Sequence, residues 1–213
     1  MLKELPVEKI PRILIFFSNI NQLADAYQFT VVSSNQLFGQ TDPIMSMFHR
    51  VTSANVKRKI LYQLADKDSR LKVVFCSSSL SMGMNLAAVE YVVHYGPSTT
   101  TDAFIQETGR AAREAGARGH SILMTFPRMS SGRSLDPYMK QYIKDGGCLR
   151  EILLKKFDCQ KPDDQPLCCD SCQELGCIVK TYLFNSMDSS ATDTYSDSDS
   201  VASVGEVENL ADI

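Results

Sequence analysis

Five short apolar runs set what this chain can fold into. They are Arg12-Ile13-Leu14-Ile15-Phe16-Phe17, Met45 to His49, Lys72 to Cys76, Tyr91 to Tyr95 and His120 to Phe126. Runs of this length and continuity suit strands buried on both faces. Helical patterns separate them. Ser18-Asn19 offers a cap for a helix to about Tyr27, and Thr52-Ser53 caps one whose Val56, Ile60, Leu61 and Leu64 repeat at the helical period. The stretch 29–44 has neither period and reads as irregular. Short strands alternating with amphipathic helices predict an α/β fold, a parallel sheet covered by helices on both faces. Ligands of such folds sit at the carboxyl ends of the strands. The Ser-rich loop Ser77 to Ser81 and a helix starting near Thr100, after Gly96-Pro97, are in that class of position.

The pattern changes beyond Phe126. Asp136-Pro137 can start a helix through Tyr138, Met139, Tyr142 and Ile143, and Gly146-Gly147 breaks it. A second helix from Cys148 carries Leu149, Ile152, Leu153 and Phe157 on one face. The expected division is therefore an α/β domain over 1–127, a small helical subdomain over 128–180 and an acidic Ser/Asp-rich tail over 181–213, expected to be disordered. The formal charge of −3 is uneven: from Ser186 onward there are seven acidic residues and no basic one, which leaves 22 basic against 18 acidic residues in the rest. A mildly basic body permits nucleic-acid binding without demanding it. No run of roughly 18 apolar residues occurs, so no membrane span is expected, and Met1-Leu2-Lys3-Glu4 lacks the apolar stretch of a secretion signal.

The segment Gln106-Glu107-Thr108-Gly109-Arg110-Ala111-Ala112-Arg113 carries the first candidate chemistry. Read as one helix from Phe104 to Ala115, it puts Phe104, Thr108, Ala111 and Ala115 on one side. Gln106, Arg110 and Arg113, at i, i+4 and i+7, then share an arc opposite. Two guanidiniums on one face, with Gly109 leaving room, suit a compact polyanion such as a triphosphate. A solvated face of a surface helix satisfies the same spacing.

Six of the seven cysteines, all but Cys76, crowd into thirty residues from Cys148 to Cys177. Without a secretory signal this reads as a metal site in a reducing compartment. Cys169-Asp170-Ser171-Cys172 is a C-x-x-C knuckle with Cys168 beside it, able to bind one tetrahedral ion. Cys148 is the best candidate for completing the site, and Cys159 and Cys177 compete with it. Reduced thiols without metal satisfy the same composition.

The order of these features resembles the C-terminal half of a RecQ-type DNA helicase, from the second RecA-like domain through the zinc-binding subdomain. Ile13 to Ser18 resembles helicase motif IV. Met47-Phe48-His49 through Lys57-Arg58-Lys59-Ile60-Leu61 is similar to the family's "YH…K…IL" segment, Val73 to Asn85 to motif V, and Gln106 to Gly116 to motif VI. Cys148-Leu149-Arg150, Leu153-Leu154, Phe157 and Cys168 to Cys172 resemble the zinc module. The adjacent cysteine pair is most like the Werner-syndrome branch. The resemblance implies ATP-driven 3′-to-5′ unwinding of DNA, with roles in repair, recombination and replication. It also implies that Gln106, Arg110 and Arg113 reach an ATP whose Mg2+ and phosphate cradle come from a preceding RecA-like domain, Arg113 being the arginine finger. Gly83 and Asn85 would couple that nucleotide to the DNA strand. Cys148, Cys168, Cys169 and Cys172 would hold a structural zinc, leaving Cys159 and Cys177 free. For a eukaryotic source, which the acidic Ser-rich tail favours, the nucleus is the expected location.

Three departures accompany the resemblance. Asn85 stands where motif V usually has Asp, and Ala112 replaces the second Gly of G-R-A-G-R, at little cost if that residue is helical. Neither G-x-x-x-x-G-K-[ST] nor D-E-x-H occurs among the 213 residues.

Overall fold

The computed structural model describes residues 9–38, 44–80, 86–114, 116–125, 135–144, 148–160, 169, 171–172 and 202–208. The expected sheet is present. Strands β1 (Arg12–Phe17), β2 (Met45–Phe48), β3 (Val73–Cys76), β4 (Val89–Tyr95) and β5 (Arg118–Met124) pair in parallel in the order β2-β3-β1-β4-β5. Register explains the continuous apolar runs. Leu14 pairs with Val74 and Val92, and Ile15 with Phe75 and Val93, so each strand feeds both faces.

One face packs Leu14, Phe16, Val74 and Val92 against Ile60 and Leu64 of α2 (Ala54–Ala65). The other packs Phe17 and Phe75 against Leu23 of α1 (Ile20–Phe38), with Ala26 and Tyr27 beside them. A fully buried leucine such as Leu14 contributes about 1.5–3 kcal/mol over its exposed state. Helix α3 (Thr101–Thr108) crosses from β4 to β5 on the α2 side. Its Phe104 joins Leu123 of β5, Met139 and Tyr142 of α4 (Pro137–Lys144), and Leu149 and Ile152 of α5 (Leu149–Lys155) in one cluster with Cys169. Helices α4 and α5, with Cys148 just before α5, are thus built onto α3. Among the described residues no helix is long and apolar enough to cross a membrane.

The structure corrects three expectations. Helix α1 continues to Phe38, through a stretch that reads as irregular, because Phe29 and Val32 are 75% and 56% exposed and supply no apolar stripe. Phe157 lies beyond the end of α5 and is exposed, so it does not share the face of Leu149 and Ile152. Within the tail, Ala202–Glu208 forms β6, antiparallel to β5, with Ala202 beside Met124 and Glu208 beside Arg118. Val201, Val204 and Val207 locally interrupt the acidic composition, and an unpaired strand edge is a ready template for a further strand.

Candidate nucleotide-facing turn and cysteine centre

The arginine segment is not one helix. Thr100 caps the start of α3 by accepting the Ala103 N–H, and the helix stops at Thr108, with the Gly109 N–H bonded to Ile105 O at 2.8 Å. A tight turn follows, in which Arg110 N–H donates to Glu107 O and Ala111 N–H to Thr108 O. Gln106, Arg110 and Arg113 therefore share no helical arc. Gln106 is exposed on α3, Arg110 is buried in the turn, and Arg113 is exposed beyond it with its Nε donating to Gly109 O at 3.1 Å.

Burial, and then the neighbouring Arg113 charge, lowers the Arg110 pKa. Two cations lie in each other's field, one of them desolvated. An anion between them would relieve both costs, so this donor set fits a polyphosphate. The turn sits at the amino edge of the sheet, since Ala112 N–H donates to Val89 O at the start of β4. A crossover helix runs back against its parallel strands. Only the start of α3 lies at the carboxyl edge, where the sequence pattern directs attention.

Ala112 is not helical either. It is buried with φ 50°, in the left-handed region. That conformation costs an L-residue about 1–2 kcal/mol, while its buried methyl returns about 0.8 kcal/mol. The methyl offsets part of the cost and leaves a net penalty of about 1 kcal/mol or less, small enough for alanine to be tolerated here. The tolerance depends on Gly119 beneath: a Cβ there would lie 2.7 Å from the Ala111 Cβ and 2.9 Å from the Ala112 Cβ. Gly119→Ala is expected to destabilise the chain by about 1–3 kcal/mol through overpacking, read from denaturant midpoints. A midpoint equal to wild type would show that the turn is not seated on β5.

Sequence reasoning missed a buried polar cluster beneath α3. His94 Nε2 lies 3.1 Å from Glu107 Oε2, and Ser98 Oγ donates to the same oxygen at 2.6 Å. Thr108 Oγ1 and Ser121 Oγ are 3.2 Å apart. The His94 ring lies between Phe16, on which it stacks, and Phe104, whose ring is tilted at 44° to it. These bonds fix the last turn of α3, hence the approach to Arg110. The available signal was a lone histidine in an otherwise apolar strand. Desolvation, then the Glu107 charge, pushes the Cys76 thiol well above its ordinary range, which makes it an inert core residue.

At the other end of α3, Asp136 caps two helices. Its Oδ2 accepts Thr101 N–H at 3.1 Å and Thr101 Oγ1–H at 2.8 Å, and its Oδ1 accepts Tyr138 N–H at 2.7 Å. Lys156 Nζ contacts Asp102 Oδ1 at 2.8 Å and Asp136 Oδ2 at 3.5 Å. Desolvation pushes the Asp136 carboxyl up, but the Thr101 and Tyr138 hydrogen bonds and the Lys156 charge outweigh it and hold the carboxyl at about 2 against 3.8. A depressed carboxyl adds stability that is full above the unfolded value and lost as pH falls through the folded one. The stability difference between wild type and Asp136→Asn is expected to be constant from about pH 7 to about pH 5 and to vanish between about 4 and 2. A difference that persists at the acid end would exclude the carboxylate as its source.

Of the predicted ligands, Cys148, Cys169 and Cys172 come together, with all three sulfurs within 4.8 Å of one another. The Cys169–Cys172 separation is 3.6 Å. A tetrahedral ion with sulfur bonds of about 2.3 Å has edges of about 3.8 Å. Leu149 N–H donates to the Cys169 sulfur at 3.4 Å, the kind of outer contact that orients a thiolate ligand. Burial first, then the neighbouring Cys148 and Cys169, pushes the Cys172 thiol up to about 12, and a bound cation would reverse that preference. The set fits a thiophilic cation. Cys159 stands apart, donating to Phe157 O. Cys168 and Cys177, and the motif V positions Gly83 and Asn85, lie outside the described residues.

The probable ATP-dependent DNA helicase RecS of Bacillus subtilis is 29% identical over 124 residues, covering 56% of this chain and 24% of that protein. The probable ATP-dependent RNA helicase pitchoune of Drosophila melanogaster is 22% identical over 116 residues, covering 54% and 16%. The C-terminal domain of the DEAD-box protein Dbp5 aligns with a TM-score of 0.47 at 17% identity, over 70% of this chain and 71% of that one. The chain spans about a quarter or less of the length of these two sequence relatives. The family model "Helicase conserved C-terminal domain" matches residues 1–115, more than half of the 213. The parallel sheet and its arginine turn are a RecA-like helicase C-terminal fold, and the chain belongs to the helicase conserved C-terminal domain family.

Proposed function

We propose that this chain is the second RecA-like domain and zinc-binding module of a RecQ-type, ATP-dependent 3′-to-5′ DNA helicase, nearest the Werner-syndrome branch. The observation that carries the reading is the attachment of a three-thiol centre to the same short helix that delivers Arg110 and Arg113. General helicase C-terminal domains need the arginines; the thiol centre built on their helix favours the RecQ type. In this reading Cys148, Cys169 and Cys172 hold zinc with a further cysteine, Cys168 by resemblance. Four thiolates leave no open position, so the metal is structural.

ATP with Mg2+, when bound, supplies a phosphoanhydride whose cleavage builds charge on the transferred phosphoryl group. Arg110 contributes a fixed, desolvated positive charge, and Arg113 is exposed and able to swing onto that charge as it develops. Gln106 joins them at the nucleotide, and Gly83 and Asn85, by resemblance to motif V, couple the nucleotide cleft to the DNA strand. The phosphate cradle and magnesium ligand belong to a preceding RecA-like domain. The same reading carries a nuclear location.

Purified 1–213 is expected to release no phosphate from ATP above background, with or without DNA. Steady release abolished by Arg113→Ala would mean a whole site and end the half-site reading. Equal binding of DNA and RNA strands of one sequence would count against the RecQ assignment. The second reading, an ATPase-inactive nucleic-acid-binding or helicase-interacting module, is favoured by the lack of the phosphate-cradle and magnesium-ligand motifs among the 213 residues. It requires that a preceding RecA-like domain, supplied in the same chain, restore no hydrolysis sensitive to Arg113.

A further inference from the structure

Helix α5 touches the cysteine centre at one end and the arginine helix at the other. Cys148 stands immediately before it, accepting Ile152 N–H on its carbonyl, and Leu149 N–H is bonded to the Cys169 sulfur. Just past its other end, Lys156 reaches Asp102 in the first turn of α3 and Asp136, the cap of both α3 and α4. Seven helical residues span about 10 Å. The Asp102 hydrogen bond is the largest of several effects raising the Lys156 pKa, so the ammonium is fully charged. Only 16% of the Lys156 side-chain surface is exposed. The Thr101 backbone and hydroxyl both commit to Asp136.

We infer that Asp136, Lys156 and Asp102 form a positioning clasp, through which occupancy of the cysteine centre sets the order of α3 and of the arginine turn at its far end. The hydrogen bonds and ion pairs of the three join helices to one another and involve none of the thiols. A cation at the thiols fixes the start of α5, α5 fixes Lys156, and the clasp fixes the first turn of α3. The Phe104–Tyr142 contact, with centroids 5.2 Å apart, is a parallel link between the same elements. The clasp, unlike that ring contact, bonds the backbone of α3 directly, through Thr101 N–H.

The metal part of this inference rests on the zinc reading above, and the Asp136 part does not. The test is site-resolved hydrogen exchange on the full 1–213 chain, zinc-loaded and after chelation. The reporters are Phe104 N–H, bonded to Thr100 O, and Gly109 N–H, bonded to Ile105 O. In wild type, zinc removal is expected to raise their exchange about tenfold or more. In zinc-loaded Asp136→Asn and Lys156→Met they should already exchange fast, and the zinc dependence should shrink to within about twofold, a non-additivity that marks direct coupling. Lys156→Arg should retain wild-type behaviour, as should Lys155→Met at the exposed neighbour on α5. Three results overturn the clasp: α3 exchange in wild type indifferent to zinc, variants that keep the full zinc dependence, or loss of Ile152 N–H protection in the zinc-loaded variants, which would mean the module had unfolded. Metal analysis finding no zinc would reject the zinc reading separately. Asp136→Asn exchange as slow as wild type would then still reject the clasp.

Discussion

Replacing Arg12 with methionine is expected to cost about 3–5 kcal/mol of folding stability, the effect of leaving buried partners of a charged group unpaired. Arg12 is 3% exposed, and its guanidinium donates to four carbonyls: Leu64 and Asp66 at the end of α2, Leu71 before β3 and Ala87 before β4. Burial lowers its pKa, and the Asp66 charge acts in the opposite sense. It is a cation placed where the end of a helix presents unsatisfied carbonyls, and it ties two connections, α2 to β3 and β3 to β4, to the first strand. Methionine keeps most of the volume and removes every donor. Because domains are stable by only about 5–15 kcal/mol, the loss would be plain in a denaturant titration. Lysine should recover only part of it, since one ammonium cannot reproduce a planar fork that spans four carbonyls. A methionine variant within about 1 kcal/mol of wild type would mean that water replaces the guanidinium at those carbonyls. The consequence also reaches the site. Val89, whose carbonyl holds Ala112 N–H, pairs with Arg12 and lies two residues past Ala87, so a loosened amino edge would loosen the arginine turn.

The five parallel strands are legible in the sequence because a strand buried on both faces must be apolar almost throughout. What the sequence does not disclose is the work of polar residues between elements distant in the chain. Arg12 opens an apolar run and looks like its solvent-facing end, yet it is buried. Asp136 reads correctly as the start of α4, but nothing local indicates that the same carboxylate caps α3 thirty-five residues earlier. The arginine segment misleads for a more specific reason. Ala111 and Ala115 fall on the Phe104 side of a helical wheel, so periodicity extends the helix through residues that form a turn. Gly109 was the available stop signal, since glycine commonly ends helices. The cysteine centre is partly legible: spacing identifies the Cys169–Cys172 knuckle and the sequence favours Cys148 beside it, but the separation of Cys159 from the group follows only from the packing of α5 against Phe104.

On the proposed zinc reading, removing the metal from the cysteine centre is the perturbation expected to have the largest effect. Structural zinc in small zinc-finger peptides has an apparent binding free energy of about 10–16 kcal/mol, most of which appears as folding free energy. The helices here have a modest core of their own. Met139, Tyr142, Leu149 and Ile152 are buried largely by sharing a cluster with Phe104 and Leu123. Asp136 adds hydrogen bonds to Thr99 and Thr101, while the Lys156–Asp102 ion pair, with an exposed partner, contributes little on its own. Without the cation, three thiols are crowded within 4.8 Å of one another with no charge to hold them there. Chelation should therefore melt α4 and α5 while the sheet between β2 and β4, buried by a separate cluster around Leu14, Ile60 and Val74, keeps its cooperative unfolding. The expected record is a fall in helical circular dichroism on stoichiometric zinc loss, restored by adding back one zinc per chain, with the sheet transition preserved at its own midpoint. A chelated, zinc-free chain with the unfolding curve of the untreated protein would show that Phe104 and Leu123 suffice to hold the helices. A sheet that melts together with them would show instead that α3, fixed to β5 through Thr108 and Ser121, passes the loss on to the whole domain.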